Sequence, residues 1–434
     1  MMVTLLKKIM RRLARWTIWR YRPGIIGITG SAGKTSTKLA IAAVLERDRR
    51  VRTAYGNLNS DLGLPLAILG DWSDRDLALV SRATPAGEKR FQKAMFWLKV
   101  IAVSLWRIAF GRRDEYPEIL ILEYGADRPG DIKYLLGIAR PNVSVITAIG
   151  RIPVHVEFYE GPADVAREKG RLIEYLPAGG FAILNADDAT VLGLQSRTRA
   201  RVMTYGFERG AEVRLSRFEN KVRDGRPAGI SFKLEYGSGV VPVRIDGAFG
   251  RANAYAAGAA AAVGLAFGMN LVTISDALAR YAPPAHRMQL VPGVKGAMVI
   301  DDSYNASLIA MHAALETLAA LPAKRRIAVL GDMLEIGKYT PEAHEEVGRA
   351  AAARADALFT IGPRAKFIAE AARAAGMKRT AIFAFDAADA ARMPLQNFIK
   401  KDDLILVKGS HAMRMDALVK EICDVPIPGV VPLS

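Results

Sequence analysis

The decapeptide Gly27-Ile28-Thr29-Gly30-Ser31-Ala32-Gly33-Lys34-Thr35-Ser36 sits where an apolar run, Gly24 to Thr29, gives way to a helical pattern from Thr35 to Glu46. A buried strand that breaks at glycines and restarts as a helix aims backbone N–H groups at one point, the arrangement that cradles polyphosphate. In this reading Gly30 and Gly33 make the turn, Ser31 and Ser36 complete the nucleotide loop, Lys34 meets the β and γ phosphates and Thr35 ligates Mg²⁺. The place of the first glycine in the general phosphate-loop pattern is held by Ile28.

From residue 24 onward, short apolar runs alternate with helical patterns, which predicts βαβ units and mostly parallel sheets. The first strands are expected at Gly24 to Thr29, Ile119 to Glu123 and Val143 to Thr147. Residues 211 to 247 alternate strands with glycine turns such as Gly237-Ser238-Gly239, predicting a small antiparallel sheet. An alanine-rich helix is expected from Asn253 to about Phe267, and Pro283-Pro284 breaks the chain. After the break, runs at Ala297 to Ile300, Ile327 to Leu330, Ala357 to Ile361, Ala381 to Phe385 and Leu404 to Val407 predict a doubly wound unit. The expected class is therefore α/β: a basic amphipathic helix over 1–23, a P-loop NTPase-like parallel-sheet domain over 24–283, and a Rossmann-like domain over 284–434.

An apolar content of 51% with 24% charged residues describes a globular chain with real cores. The single Cys423 excludes a disulfide framework and multi-cysteine metal sites, points to a reducing cytoplasm, and reads as a small apolar group. The net charge of +17 is concentrated. Residues 1–22 carry Lys7, Lys8, Arg11, Arg12, Arg15, Arg20 and Arg22 with no acid, and residues 89–113 carry Lys89, Arg90, Lys93, Lys99, Arg107, Arg112 and Arg113, again with no acid. The rest is nearly balanced, so the charge does not indicate nucleic acid. In the first stretch Leu6, Ile9, Leu13 and Trp16 recur at helical spacing, the pattern of a helix lying in a membrane interface. The second is apolar almost all round but interrupted by Lys99 and Arg107, so neither stretch is expected to span. Each Lys or Arg near an anionic leaflet contributes about 1 kcal/mol. The two segments together predict an anionic membrane surface as partner; the competing reading packs both on the protein's own core.

Further motifs follow in a set order: Tyr55 to Leu66 with Asn57 and Asn59; Glu123-Tyr124-Gly125-Ala126; His155-Val156-Glu157; Arg167-Glu168-Lys169-Gly170; Asp301-Asp302-Ser303-Tyr304-Asn305-Ala306; Gly331-Asp332-Met333-Leu334-Glu335; and Val407-Lys408-Gly409-Ser410. With the phosphate loop, this series resembles the Mur ligase family, and within it the branch that adds D-alanyl-D-alanine, over residues 24 to about 420. The resemblance implies two Mg²⁺ ions held by Thr35, Glu123, His155 and Lys169, the last as a carbamate formed with CO₂. From the residues alone, Glu123 is either a metal ligand at a strand end or a solvated acid, His155 is a loop histidine, and Lys169 lies on an exposed helix face. The resemblance further implies that Asn253 meets adenine, Asp302 lies near the ribose and Arg287 reaches the terminal phosphate. It makes Lys34, Lys169, Arg287 and His155 the catalytic set, and Asn57, Asn59, Asn305, Lys408 and Ser410 the substrate side. Phe249 and Gly250 replace the family's His-Asn pair before Asn253, and Ser307 and Leu308 replace an Asn and a Pro after Ala306.

The implied activity is an ATP-dependent carboxylate–amine ligase working through an acyl phosphate, adding D-alanyl-D-alanine to a muramyl peptide in peptidoglycan synthesis. The chain is expected to act as a cytoplasmic monomer, peripheral at the inner face of the membrane. Only 23 residues precede Gly24, where relatives carry roughly a hundred that grip uridine, so the acceptor is expected to be held differently. Rival readings are a ligase of another acceptor (a pseudomurein-like peptide, a folylpolyglutamate or a glutaminase-partnered amidation) and a non-catalytic ATP-binding membrane scaffold.

Overall fold

A computed structural model describes residues 2–53, 56, 58–80, 88–223 and 225–424. Two sheets organise it. The first has nine strands in the order β2-β3-β1-β4-β5-β6-β7-β8-β9, and the second has six in the order β10-β11-β15-β12-β13-β14. In the first, β1 (Gly24–Thr29), β2 (Val51–Thr53), β3 (Ile119–Glu123), β4 (Val143–Ile146), β5 (Phe181–Asn185) and β6 (Arg201–Gly206) run parallel. The antiparallel strands β7 (Val213–Arg223), β8 (Arg226–Tyr236) and β9 (Gly239–Asp246) continue the same sheet. The antiparallel strands expected over 211–247 are present and are continuous with the parallel ones, because β7 pairs with β6 through Tyr205 and Val213. Alternation marks a strand; it does not say which strand lies beside it.

Strand β1 reads as unbroken apolar sequence because both its faces are covered. Ile26 and Ile28 face the helix Lys34–Leu45 and the alanine-rich helix Gly250–Ala266. Ile25 faces the other way, into a core that takes in Ala14 and Tyr21 of the N-terminal helix Met2–Tyr21. That helix therefore buries Met10, Leu13, Ala14 and Tyr21. Leu13, expected on a membrane face, packs inward with Leu6 and Ile9 against Phe96 and Val100 of the helix Arg90–Phe110, while Trp16 stays exposed.

The second sheet comprises β10 (Gln289–Pro292), β11 (Met298–Asp302), β12 (Arg325–Gly331), β13 (Ala357–Ile361), β14 (Ile382–Phe385) and β15 (Asp403–Lys408). All are parallel except the edge strand β10, which no sequence signal marked. Among the described residues no helix is long and apolar enough to cross a membrane.

Candidate active site

Strand β1 is followed by Gly30, whose φ is +150°; a Cβ there would fall 2.0 Å from Thr147 Oγ1. Only glycine lets the end of β4 come so close. Gly33 is left-handed at φ +84° and opens the Lys34–Leu45 helix. Ser31 N–H donates to Ala148 O at 2.6 Å, and Ser31 Oγ is buried with no hydrogen-bond partner. Lys34 Nζ donates to Gly30 O at 2.6 Å. Burial lowers the Lys34 pKa, Glu123 opposes the shift, and Arg287 adds to it. Lys34 thus lies within electrostatic reach of an acid at the end of β3 and an arginine of the C-terminal half.

Glu123 is 1% exposed, and neither of its oxygens accepts a hydrogen bond, although Lys38 Nζ stands 2.9 Å from Oε1. Lys38 was not singled out from the sequence. Its signal was there: it follows Lys34 by one helical turn, so both ammonium groups rise from one helix face. Among the described residues no three His, Cys, Asp or Glu side chains converge as a metal cluster. The donors suit Mg²⁺ nonetheless, since that ion takes one or two carboxylates and fills its shell with phosphate oxygen and water. Glu123 and the Thr35 hydroxyl fit such a role.

His155 adopts φ +69°. Its Nδ1 lies 2.9 Å from Glu335 Oε2 without hydrogen-bond alignment, and its Nε2 lies 3.5 Å from Asp127 Oδ1. Asp127 in turn acts on the charges of both Lys34 and Lys169.

Lys169 is not on an exposed face: it is 1% exposed on the helix Pro162–Glu174, and Glu168 is 4% exposed. Val165, Lys169, Leu172 and Ile173 share the buried stripe of that helix, and the i, i+4 spacing from Val165 could have revealed it. Glu168 satisfies the amide of Ile132 and pairs with Arg171. Burial, reinforced by Lys34, pushes the Lys169 pKa down to about 7.

The C-terminal half supplies the other wall. Arg287 stacks over the Tyr304 ring at 4.1 Å from its centroid. It lines, with Ser31, Gly33, Asn253, Asp302 and Lys408, a cleft of about 310 Å³ between the two sheets. Lys408 Nζ donates to Asp302 Oδ2 at 2.6 Å and to Asn305 O at 2.8 Å. Burial pushes the Asp302 carboxyl up while Lys408 pulls it down. Asn305 also lines the cleft, and its Oδ1 accepts from Ala306 N–H. Ser410 is 5% exposed, and its hydroxyl accepts from Leu334 N–H at 2.9 Å, tying two loops together. Asn59 holds its carbonyl against the Gly125 amide at 3.0 Å, beside the end of β3. Asn57 lies outside the described residues.

Asn253 is 3% exposed and donates to Phe249 O, while Tyr281 OH donates to its Oδ1 at 3.2 Å. Asn253 and Ser36 line the same cleft, so Asn253 lies beside the phosphate loop. Phe249, where the family has histidine, is buried in the core of the C-terminal half. Gly250 has φ +74°, and a Cβ there would come 2.4 Å from Thr317 Oγ1. The pair thus serves packing between the halves. Ser307, in place of the family's asparagine, caps the helix Leu308–Ala320 by accepting from Ala310 N–H. Burial pushes the Cys423 thiol up to about 12, which removes it as a nucleophile.

Comparison with known proteins matches this architecture. Residues 103–262 match the Mur ligase middle domain, and residues 286–411 match the Mur ligase, glutamate ligase domain. The UDP-N-acetylmuramoyl-tripeptide–D-alanyl-D-alanine ligase of Escherichia coli is 29% identical over 94% of this chain and 79% of its own length. The enzyme of the same name from Mycobacterium tuberculosis is 32% identical over 91% of this chain and 72% of its own. Among solved structures, MurF ligase from Thermotoga maritima in complex with ADP superposes with a TM-score of 0.76 at 25% identity, covering 96% of this chain and 83% of that one. A MurF from Acinetobacter baumannii shares the fold with the same TM-score at 24% identity, over 95% of this chain and 79% of its own. With two of the family's domains in order along one chain and a relative 32% identical over 91% of this chain and 72% of its own length, the chain belongs to the Mur ligase family.

Proposed function

We propose that this chain is an ATP-dependent ligase that joins D-alanyl-D-alanine to a muramyl tripeptide in peptidoglycan synthesis. The single observation that carries the reading is one cleft lined from both halves, with Ser31, Gly33 and Ser36 of the phosphate loop facing Arg287, whose charge reaches Lys34. A peptide carboxylate oxygen attacks the γ-phosphorus of ATP, the bond to the β-phosphate oxygen breaks, and ADP leaves. The amine of the dipeptide then attacks the acyl carbon; the C–O bond to phosphate breaks, and the nitrogen releases a proton.

Lys34 and Arg287 offset the charge on the transferred oxygens, and the stacking of Arg287 on Tyr304 keeps its guanidinium oriented before substrate arrives. Thr35, Glu123, His155 and a carbamate on Lys169 would hold magnesium, which would supply neutralisation of the phosphate and carboxylate charge. The depressed Lys169 pKa supports the carbamate, because only a neutral amine adds CO₂. His155 stands between Asp127 of the N-terminal half and Glu335 of the C-terminal half. Asn59 and Asn305 lie toward the acceptor, Asp302 toward the ribose. The lining of the cleft from both halves supports exclusion of water from the acyl phosphate. The enzyme works as a monomer at the inner face of a membrane, on an anionic surface reached through residues 1–22 and 89–113.

Phosphate release and product mass test this directly. Incubation with ATP, Mg²⁺, D-alanyl-D-alanine and a panel of UDP-linked and lipid-linked muramyl tripeptides should give a product heavier by the dipeptide less one water. Phosphate release without an amide product, or with an unrelated acceptor only, rejects the assignment.

A further inference from the structure

The Arg90–Phe110 helix turns an apolar face to solvent. Phe91, Met95, Leu98, Leu105, Trp106 and Phe110 recur at helical intervals, and Ala102 and Ala109 fill the gaps. Phe91 is 78% exposed, Leu98 59%, Trp106 60% and Phe110 74%. The opposite face, with Phe96, Val100 and Ser104, already packs on the protein. A ridge of large apolar side chains along a helix about 30 Å long is not a feature that a protein surrounded only by water retains.

The N-terminal helix lies alongside. Its exposed stripe, Leu5, Lys8, Arg12, Arg15, Trp16 and Trp19, mixes basic and aromatic groups, with Trp16 51% and Trp19 70% exposed. The helices meet at their C-terminal ends, where Tyr21 OH donates to Arg107 O at 2.5 Å and Arg20 reaches Gly111 O at 3.4 Å. Lys89 and Arg90 flank one end of the apolar ridge, and Arg112 and Arg113 the other. Neither segment contains an acid.

We propose that these two helices form a docking face for an anionic lipid bilayer, resting on the membrane placement of the ligase and specifying the surface that makes it. Tryptophan and phenylalanine would sit at headgroup depth and the basic groups on anionic lipid, the division of labour of interfacial helices. A second copy of the chain is the poorer occupant: Lys7, Lys99 and Arg112 are paired with Asp61, Asp76 and Asp114, but Lys8, Arg12 and Arg15 of one copy would still face like charges of the other. Lys7 pairs with Asp61, and the same loop holds Asn59 against Gly125 beside Glu123. The docking face is thereby joined to the acceptor side of the cleft.

The test is cosedimentation of the full chain with vesicles of phosphatidylcholine alone or with about 30 mol% phosphatidylglycerol, with ADP binding measured on the same preparation. Anionic vesicles should bind the chain at least about tenfold more tightly, less so at high salt, with a blue shift of tryptophan emission. The variant W19S/W106S/F110S, altered only at exposed positions, should lose about tenfold or more in vesicle binding while keeping its ADP affinity. If the variant binds vesicles as well as the parent, this face is wrong though the membrane placement stands. Failure of the parent to bind anionic vesicles overturns both, as does self-association through the same residues without vesicle binding. Vesicle binding without ADP binding would leave the docking face intact and count against the ligase.

Discussion

Lys38 Nζ stands 2.9 Å from Glu123 Oε1, and each side chain is 1% exposed. A buried ion pair is weak support for stability as a whole, but removing one partner strands the other charge, at a cost of about 3–5 kcal/mol. Lys38→Met should therefore lower the unfolding free energy by about that amount in urea titrations with chelator present. Mg²⁺ with a non-hydrolysable ATP analogue should narrow the gap, since a divalent ion beside Glu123 restores the missing positive charge. Equal stability of the two proteins in chelator would show that Glu123 is not depending on Lys38.

Arg287 is fixed from both sides. His286 and Met288 are left-handed at φ +60° and +52°; His286 Nδ1 lies 2.7 Å from Asp301 Oδ2, and Met288 N–H donates to Asp302 Oδ1 at 3.2 Å. Arg287→Lys keeps the charge but loses the planar fork and the stacking on Tyr304. We expect kcat to fall about a thousandfold, as for an arginine lost from phosphoryl transfer, with nucleotide affinity nearly unchanged. A loss confined to KM for ATP would assign Arg287 to ground-state binding.

Burial brings the Lys169 pKa down to about 7 from the ordinary 10.5. Between those values the unfolded lysine binds a proton that the folded one does not, so this residue makes stability rise with pH across that window. Below about pH 7 the folded chain has to carry a buried cation. The proposed carbamate needs the neutral amine, so turnover should fall as pH drops below 7 and fall again when CO₂ is purged, recovering with bicarbonate. Lys169→Ala should cost about a hundredfold, the scale of a lost metal-site group, and a small carboxylate in the buffer should return part of it. Indifference of the parent enzyme to CO₂ at every pH would remove the carbamate.

The order of elements could be read along the chain because each strand buried on both faces is a short apolar run. β3 and β13 fall where the apolar runs at Ile119–Glu123 and Ala357–Ile361 put them. What could not be read were relations between distant segments. Strand β7 joined the main sheet through one parallel step, and β10 formed an antiparallel edge from Gln289–Pro292, a stretch with no alternation. The same holds in the site. Lys34 and Glu123 stand out in their motifs, whereas the pairing of Lys38 with Glu123 depends on β1 and β3 being neighbours. Lys169 looked solvated because its neighbours Glu168 and Arg171 are charged; the fold spends those charges on each other and turns the ammonium inward.

His155 and Glu335 come from opposite halves of the chain, both with left-handed backbones at φ +69° and +64°, and meet at 2.9 Å. Conformations of that kind cost about 1–3 kcal/mol each, and they persist where surrounding structure fixes them. Gly337, two residues beyond Glu335, is held so close that a Cβ would fall 2.8 Å from Glu157 Cβ, so the two loops are interlocked. The contact therefore joins the C-terminal half to the loop that follows β4 in the N-terminal half. Glu335→Ala should reduce kcat about tenfold with ADP affinity unchanged, because it loosens closure without touching the nucleotide loop. In a double-mutant cycle with His155→Ala the losses should be non-additive, with an interaction term of about 0.5–3 kcal/mol. Strictly additive losses in kcat would mean that the two side chains act separately and that closure does not pass through them.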